Sequence, residues 1–189
     1  MGHLLNSLHS AGNTGVQPNL GGYDFDKMTV FGDVARFMTY FYNACSMDNL
    51  SRPLDKFFSI NEKWMWHGCD RASVQSIFRN GFMEQFNHTS MYGKGSYFAR
   101  DATYSLNDNF SKVTTETIKG VRYYRKCILY CRVLAGNTTP GGNGSTILPK
   151  WKGDVLFNSF CDQPRDPSIV VVKDGYAYPA YALEFIKRA

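Results

Sequence analysis

Five short segments of the chain have the composition of β-strands, and no regular succession of helices separates them. The segments are rich in apolar or alternating side chains and span 64–67, 95–99, 127–134, 169–173 and 182–186. A doubly wound parallel sheet needs a helix between successive strands, so this spacing argues against that class of fold. The sequence therefore predicts an α+β fold.

Two helices are predicted beside these strands. The first has apolar residues at spacings of three and four, which gives it one apolar face to dock on the core. Those residues are Val30, Val34, Phe37, Met38, Phe41 and Cys45. The second helix starts at an N-cap, either Asp70 or Ser73, and ends at Gly81. Its apolar face comprises Val74, Ile77 and Phe78.

Length and composition predict a single folded domain. The chain has 189 residues, of which 43% are hydrophobic and 15% aromatic, and this is enough for one substantial core and short for two. Residues 1–24 are rich in Gly, Asn and Ser, so we expect a flexible N-terminal arm followed by a domain over residues 25–189. The proline and three glycines within residues 138–144 predict a flexible connection.

The five cysteines predict free thiols, because their number is odd and they lack the spacing of a disulfide framework. Only Cys127 and Cys131 are close in sequence. In a strand they would be about 13 Å apart, whereas a disulfide requires Cα atoms within about 7 Å. We therefore expect both to be core side chains.

The net charge of +5 is spread along the chain, with its densest cluster at Arg122, Arg125 and Lys126. We interpret this cluster as a solvated strand edge, which leaves nucleic acid as a less favoured partner. The chain has no run of eighteen apolar residues, and its first residues lack the features of a secretory signal. We expect a soluble intracellular protein, cytoplasmic or nuclear, with no membrane partner.

The usual dinucleotide-binding and phosphate-binding motifs do not occur. There is no G-x-G-x-x-G, and the glycine after Lys94 excludes a P-loop. The chain instead has His67-Gly68 at a strand end, Asn80-Gly81-Phe82 at a helix end, then Gly-Lys-Gly-Ser-Tyr-Phe-Ala over 93–99. With the segments 101–105, 166–172 and 177–179, this ordered set resembles the catalytic domain of the poly(ADP-ribose) polymerase family.

The resemblance implies the ADP-ribosyltransferase fold, with mixed or antiparallel sheets and flanking helices. It also implies that NAD is a substrate and that no metal is required. His67 matches the residue that binds ribose, and the backbone of Gly68 matches the contact with the nicotinamide carboxamide. Tyr97 and Phe110 match the two aromatic residues that cover the nicotinamide ring. Phe110 departs from the family, which usually has tyrosine there.

Three further assignments follow from the resemblance. Ser105 matches the serine that bonds the carboxamide oxygen. Cys69 matches a cofactor-binding position beside the adenosine half of NAD, where relatives often have the hydroxyl of Ser or Thr. Residues Met83 to Met91, including His88, lie where the family has a loop over the adenosine diphosphate, and their polarity suits a mobile lid.

The third residue of the family signature is Ile169 here, so the signature consists of His67, Tyr97 and Ile169. Members that make polymers have glutamate there, because the ribose hydroxyl that extends a chain needs a carboxylate to orient or deprotonate it. The resemblance therefore implies mono-ADP-ribosylation of proteins, the enzyme itself included. Asp and Glu are the first acceptors to expect, because a carboxylate with a pKa near 4 is already ionised at neutral pH. Two alternatives remain, transfer to nucleic-acid termini and an NAD-binding pseudoenzyme.

Overall fold

The structure is a computed structural model that describes residues 21–30, 32, 39–40, 43, 61–87 and 91–189. Most of these residues lie in strands. The strands are β1 (Asp24–Val30), β2 (Glu62–Cys69), β3 (Ser96–Ala99), β4 (Thr114–Ile118), β5 (Val121–Leu134), β6 (Thr138–Pro140), β7 (Lys150–Lys152), β8 (Val155–Leu156), β9 (Ser159–Cys161), β10 (Ile169–Val172) and β11 (Ala177–Arg188). The α-helices are α1 (Val74–Asn80) and α2 (Ala102–Ser105), and 3-10 turns occur at Arg71–Ser73 and Glu84–Phe86.

One large sheet organises the fold. Its strand order is β1-β11-β5-β2-β3-β10-β9-β6, with β4 also paired to β5, while β7 and β8 form a separate two-stranded sheet. Every pairing is antiparallel except that of β6 with β9. The α+β prediction is confirmed, and the mixed sheet agrees with the predicted class of fold.

The long strands β5 and β11 pair along most of their length, and side chains pack on both faces of the sheet. The core cluster on one face includes Met65, Phe98 and Val170, and the cluster on the other includes Trp66 and Ile128. All four residues of β10 are buried, which accounts for its uninterrupted Ile-Val-Val-Val sequence. Burying large side chains on both faces is the main source of stability in such a sheet.

The predicted second helix is confirmed as α1. Asp70 precedes the 3-10 turn, Val74 and Phe78 are buried, and the helix ends at Gly81. Gly81 has φ of 76°, a conformation that a residue without a Cβ adopts at little cost, so this glycine ends the helix. None of the helices in the described ranges is long and apolar enough to cross a bilayer.

The predicted first helix is wrong at its start, because Val30 is the last residue of β1. Helical residues in this region are Thr39, Tyr40 and Asn43, and the buried Tyr40 packs with Tyr178 of β11. The other residues that define the predicted apolar face lie outside the described residues. So do residues 1–20 of the predicted arm, while Asp24 is the first residue of β1.

Two further predictions are corrected by the pairing of the strands. Arg122 is exposed as predicted, but Arg125 and Lys126 are each 7% exposed and do not form a solvated edge, because β5 has neighbours on both sides. Arg125 forms ion pairs with Asp26 and Glu116. Residues Thr138–Pro140, predicted as part of a flexible connection, form β6 in parallel pairing with β9.

The prediction for the cysteines is confirmed where the structure describes them. Cys127 and Cys131 are 1% and 0% exposed and lie in the core. Cys69, Cys127, Cys131 and Cys161 are free. Cys45 lies outside the described residues.

Candidate active site

His67 lies near the end of β2 and is bonded to the neighbouring strand β3. Its Nδ1 atom is 2.8 Å from the backbone carbonyl oxygen of Tyr97. The ring also packs against Phe82 in a T-shaped arrangement and against the tilted ring of Phe98, at centroid distances of 4.9 and 5.4 Å. A carbonyl oxygen only accepts hydrogen bonds, so Nδ1 is the protonated nitrogen of the neutral ring. The Nε2 atom of His67 is therefore an acceptor.

Burial lowers the pKa of His67 below its usual range, although the hydrogen bond to the Tyr97 carbonyl raises it. The burial effect prevails because an imidazolium is poorly stabilised away from water. The ring is therefore neutral at pH 7, and the acceptor at Nε2 is kept. A neutral histidine in a fixed tautomer can accept a hydrogen bond from a ligand hydroxyl.

Strands β2 and β3 are paired at a single position, Trp66 opposite Ala99. Beyond that pair, Gly68 is closely covered from another part of the chain. A Cβ atom added at Gly68 would lie 2.5 Å from the carbonyl oxygen of Ser105 and 2.6 Å from the Cβ of Phe110. Contacts this short cannot occur, so only glycine allows the close approach. The fold thus brings Gly68, Ser105 and Phe110 together.

Tyr97 is held by hydrogen bonds at its hydroxyl group. The hydroxyl donates to the carbonyl oxygen of Gly93 at 2.6 Å and accepts from the backbone N–H of Tyr92 at 3.1 Å. Burial raises the pKa of Tyr97, and the Tyr92 N–H only partly opposes this, so the phenol stays protonated at neutral pH. With the hydroxyl fixed at one end, the half-buried ring has a defined orientation.

The two other predicted nicotinamide contacts come from α2 and the turn that follows it. Ser105 is the last residue of α2 and is 2% exposed. Phe110 is 40% exposed and stacks on Tyr104, with ring centroids 4.9 Å apart and an interplanar angle of 22°. Sequence reasoning missed Tyr104. Its position one residue before Ser105 was the available signal.

Ile169 is the first residue of β10 and lies opposite Ala99 of β3. It is 5% exposed and belongs to an apolar cluster with Ala99, Phe160 and Val171, against which Tyr97 also packs. The backbone N–H of Ile169 donates to Oδ1 of Asp162 at 3.1 Å. The structure therefore gathers Ile169 and Tyr97 into one cluster, and His67 is bonded to the same strand β3.

Asp162 is a second residue that sequence reasoning missed, and it is the carboxylate bonded to the start of β10. Besides Ile169, it accepts hydrogen bonds from the backbone N–H of Ser168, at 3.0 Å, and from the Ser168 hydroxyl. Burial raises the pKa of Asp162, but these hydrogen bonds outweigh it and leave the pKa below its usual value. The Asp162 carboxylate thus holds the start of β10 by hydrogen bonds and is a weak base.

Cys69 is the predicted ligand contact that the fold does not bring to this group. It is 6% exposed, lies in the core cluster with Met65 and Phe98, and faces Cys127 across the strand pair. A hydrogen bond between the two thiols, together with burial, raises the pKa of Cys69 well above its usual value. Its side chain is therefore a core thiol in this structure.

The predicted lid is described over residues 83–87 and at Met91, while His88 lies outside the described residues. The backbone N–H of Glu84 donates to Oδ1 of Asp174 at 2.7 Å, and the Glu84 carboxylate accepts from Lys173 at 3.0 Å. Asn87 donates to the hydroxyl of Ser96 at 3.2 Å. This first part of the predicted lid is therefore attached to the loop after β10 and to β3.

A cavity of about 490 Å³ lies beside α2, lined by Tyr23, Lys126 and Lys187 among other residues. The ammonium groups of both lysines lie over the Tyr23 ring, 5.1 and 5.7 Å from its centroid. The predicted site residues do not line this cavity. The candidate site is instead formed by Gly68, Ser105 and Phe110, together with the ends of β2 and β3 beyond their single paired position.

Comparison of the sequence with known families identifies one that covers most of the chain. The family described as "Poly(ADP-ribose) polymerase catalytic domain" matches residues 41–179. Over 136 residues, 68% of this chain, the sequence is 38% identical to human "Protein mono-ADP-ribosyltransferase PARP14" and covers 7% of that protein. It is 34% identical over 142 residues, 67% of this chain, to mouse "Protein mono-ADP-ribosyltransferase PARP11", of which it covers 43%. The chain therefore spans less than half the length of these curated relatives.

Comparison of the fold with solved structures leads to the same class of domain. The crystal structure of the PARP domain of Arabidopsis RADICAL-INDUCED CELL DEATH1 superimposes with a TM-score of 0.65. The match covers 99% of this chain and 98% of that one, at 14% sequence identity. At this identity the likeness concerns the fold alone.

Proposed function

The chain belongs to the poly(ADP-ribose) polymerase catalytic-domain family, and on that premise we propose that it is an NAD-dependent mono-ADP-ribosyltransferase, a pentosyltransferase that acts on proteins. The bond between nicotinamide and C1′ of the adjoining ribose breaks, and its electron pair leaves with neutral nicotinamide. An oxygen of an acceptor Asp or Glu forms the new bond to C1′. One ADP-ribose is transferred for each NAD consumed, and the acceptor can belong to another protein or to the enzyme.

The observation that carries the proposal is the apolar environment of Ile169. The side chains packed around it are apolar or aromatic, with Ala99, Phe160, Val171 and Tyr97 among them. Extending a chain of ADP-ribose requires a base that acts on a ribose hydroxyl, and an isoleucine in such a cluster cannot supply one. Asp162 is the carboxylate nearest in the hydrogen-bond network, and its lowered pKa makes it a poor substitute.

The roles proposed for the other residues follow from their contacts. Nε2 of His67 accepts a hydrogen bond from a ribose hydroxyl, because Nδ1 is occupied by the Tyr97 carbonyl. The backbone of Gly68 binds the nicotinamide carboxamide, where the absence of a side chain permits close approach. Tyr97 and Phe110 cover the ring, and Ser105 bonds the carboxamide oxygen.

The transfer from NAD that we propose at these residues does not require a metal. The positively charged nicotinamide ring of NAD leaves C1′ of the ribose as a neutral molecule, so the protein has mainly to orient it and exclude water. Stacking of Tyr97 on the cationic ring contributes about 0.5–2 kcal/mol by analogy with other cation–π contacts. Cys69 is not assigned an adenosine contact in this proposal, because its free thiol is hydrogen-bonded to the thiol of Cys127 within the core.

The proposal extends to the organisation and location of the chain. We assign transferase activity to the part of the chain from β1 onward, within which the family match lies. We expect the protein to act inside the cell, in the cytoplasm or the nucleus.

The test is to incubate the protein with labelled NAD and separate acceptors, then determine the product by mass spectrometry. The acceptors are an acidic protein and an oligonucleotide with a terminal phosphate. We expect released nicotinamide and single additions of one ADP-ribose to Asp or Glu. A ladder of product lengths, cut by a glycohydrolase that cleaves ribose–ribose bonds, would contradict mono-transfer. If only the oligonucleotide is labelled, the acceptor is nucleic acid and not protein. If NAD is not consumed, the protein is a pseudoenzyme.

A further inference from the structure

An exposed apolar surface, here called the 147–156 patch, lies on and beside the hairpin formed by β7 and β8. It consists of Ile147, Trp151, Val155 and Leu156, with exposed fractions of 80%, 49%, 43% and 46%. These strands pair only with each other within the described chain, so the hairpin is not part of the main sheet. Four large apolar side chains exposed within ten residues of the chain exceed the scattered single ones of an ordinary surface, and such groups are typical of sites that bind another molecule.

The 147–156 patch lies beside the candidate active site. The segment leading into β7 is bonded to the site's own loops: Ser145 accepts from the backbone N–H of Lys94 at 2.7 Å, and Thr146 accepts from the ammonium of Lys173 at 3.3 Å. Leu148 packs against the cluster that contains Ile169, with Tyr97 on the same cluster. Because β7 begins two residues after Leu148, a molecule on the patch would lie next to those residues.

The charges around the 147–156 patch are mainly positive. Lys94 and Lys152 are exposed and have no carboxylate within ion-pair distance among the residues that the structure describes. Lys150 is paired with Asp154 at 2.6 Å and is neutralised locally. Two uncompensated ammonium groups beside an apolar surface complement a partner that has both apolar and acidic side chains.

We propose that the 147–156 patch binds the acceptor protein through a segment in which apolar residues flank Asp or Glu. Apolar side chains of the segment pack on Trp151, and its carboxylates approach Lys94 and Lys152. The segment thereby presents one acidic side chain to the site beside Ile169. This inference rests on the proposed function, and the chemistry is the transfer already written: nicotinamide leaves C1′ and the acceptor oxygen bonds to it.

The direct test measures binding of a fluorescent synthetic peptide by anisotropy in the absence of NAD. The peptide contains Glu flanked by Leu and Phe, and the comparison peptide replaces these neighbours with Ser and Lys. The variants are Trp151→Ser and Lys152→Glu. Phe25→Ser is the matched control, because Phe25 is 53% exposed on β1, at the opposite edge of the sheet. Thermal unfolding of all variants establishes that each is folded.

We expect each patch variant to raise Kd for the acidic-apolar peptide about tenfold, as for an aromatic contact at the centre of an interface. The Phe25 variant should leave Kd unchanged, and the wild type should bind the Ser/Lys peptide more weakly. Equal affinities of the wild type and the Trp151 variant would overturn the proposal. So would preference for the Ser/Lys peptide, or an equal loss of affinity in the Phe25 variant.

Enzyme assays separate this inference from the proposed function. If NAD is consumed, the Trp151 variant should raise KM for the peptide about tenfold while nicotinamide release without peptide stays unchanged. An unchanged KM would overturn the docking surface and leave the transferase proposal intact. Absence of NAD consumption by the wild type would refute the transferase proposal, and the anisotropy measurement would still decide whether the patch binds the peptide.

Discussion

The Nδ1 atom of His67 lies 2.8 Å from the backbone carbonyl oxygen of Tyr97. This contact joins β2 to β3 beyond the single backbone pair between them. It fixes the tautomer of the imidazole and leaves Nε2 as the acceptor nitrogen. Two of the three signature residues are thus linked before NAD arrives.

The first prediction concerns the different roles of the two nitrogens of His67: Nδ1 bonds the Tyr97 carbonyl, and Nε2 is proposed to accept from the ribose. Asparagine can keep a donor to the Tyr97 carbonyl but has no group at the place of Nε2. We expect His67→Asn to lower kcat/KM for NAD about 100-fold or more, as for a misplaced substrate, with an almost unchanged urea midpoint. His67→Ala should lose transfer and also some stability, because the Tyr97 carbonyl loses its partner. Undiminished automodification by either variant would refute the assignment of His67.

The second prediction is the pH dependence caused by His67. Its folded-state pKa is lowered by burial, whereas the unfolded value is about 6.5. Between these two pKa values the unfolded state binds more protons, so the free energy of unfolding rises with pH and levels off above about 6.5. NAD affinity should fall only as pH drops through the lowered pKa, where Nε2 becomes a donor. Urea melts and NAD titrations of the wild type, each compared with His67→Asn, isolate this contribution. An identical pH dependence in both proteins would contradict it.

The third prediction tests the close approach at Gly68. A methyl group there would lie 2.5 Å from the Ser105 carbonyl oxygen, so α2 and the turn after it must move. We expect Gly68→Ala to cost about 1–3 kcal/mol of stability, as for an overpacked core, and to abolish detectable NAD binding in calorimetry. Gly142→Ala is the control, because an added Cβ there would meet its nearest atom at 3.9 Å. Equal NAD affinity in both variants would exclude Gly68 from the site.

The fourth prediction separates the ring of Tyr97 from its hydroxyl. Tyr97→Ala removes a ring face and should weaken nicotinamide-mimicking inhibitors far more than Phe110→Tyr, which keeps an aromatic ring. Tyr97→Phe should keep stacking but lose the hydrogen bonds to Gly93 and Tyr92. This loss should lower the free energy of unfolding by about 1 kcal/mol. Inhibitor Kd values and urea melts check both effects, and small, equal effects of Tyr97→Ala and Phe110→Tyr would place the nicotinamide elsewhere.

The fifth prediction is that a carboxylate at position 169 does not create a polymerase. Ile169 is 5% exposed among apolar side chains. A glutamate there would have a raised pKa and lower the free energy of unfolding by about 2 kcal/mol or more. Ile169→Val should cost only about 1 kcal/mol. Gel analysis of detached product should give single ADP-ribose units for both variants, and a ladder from Ile169→Glu would show that isoleucine alone limits elongation.

The sequence alone was sufficient for several features that depend on nearby residues. Alternating and apolar runs predicted the five principal strand segments, and Gly81 marked the end of α1. The four-residue separation of Cys127 and Cys131 in a strand was enough to exclude a disulfide between them. The ordered motifs around His67 and Tyr97 identified the family, which the comparison confirms. Each of these inferences rests on local geometry or on a pattern of residues in order.

The tertiary structure decided everything that depends on which strands become neighbours. Arg125 and Lys126 are buried because β5 is paired on both sides, although their charges predicted an exposed edge. Gly68 needs to be glycine because Ser105 and Phe110, distant in sequence, are packed against it. The 147–156 patch is exposed because β7 and β8 pair only with each other within the described chain. Strand pairing joins residues that are far apart along the chain, and the periodicity within one segment contains no information about its partner.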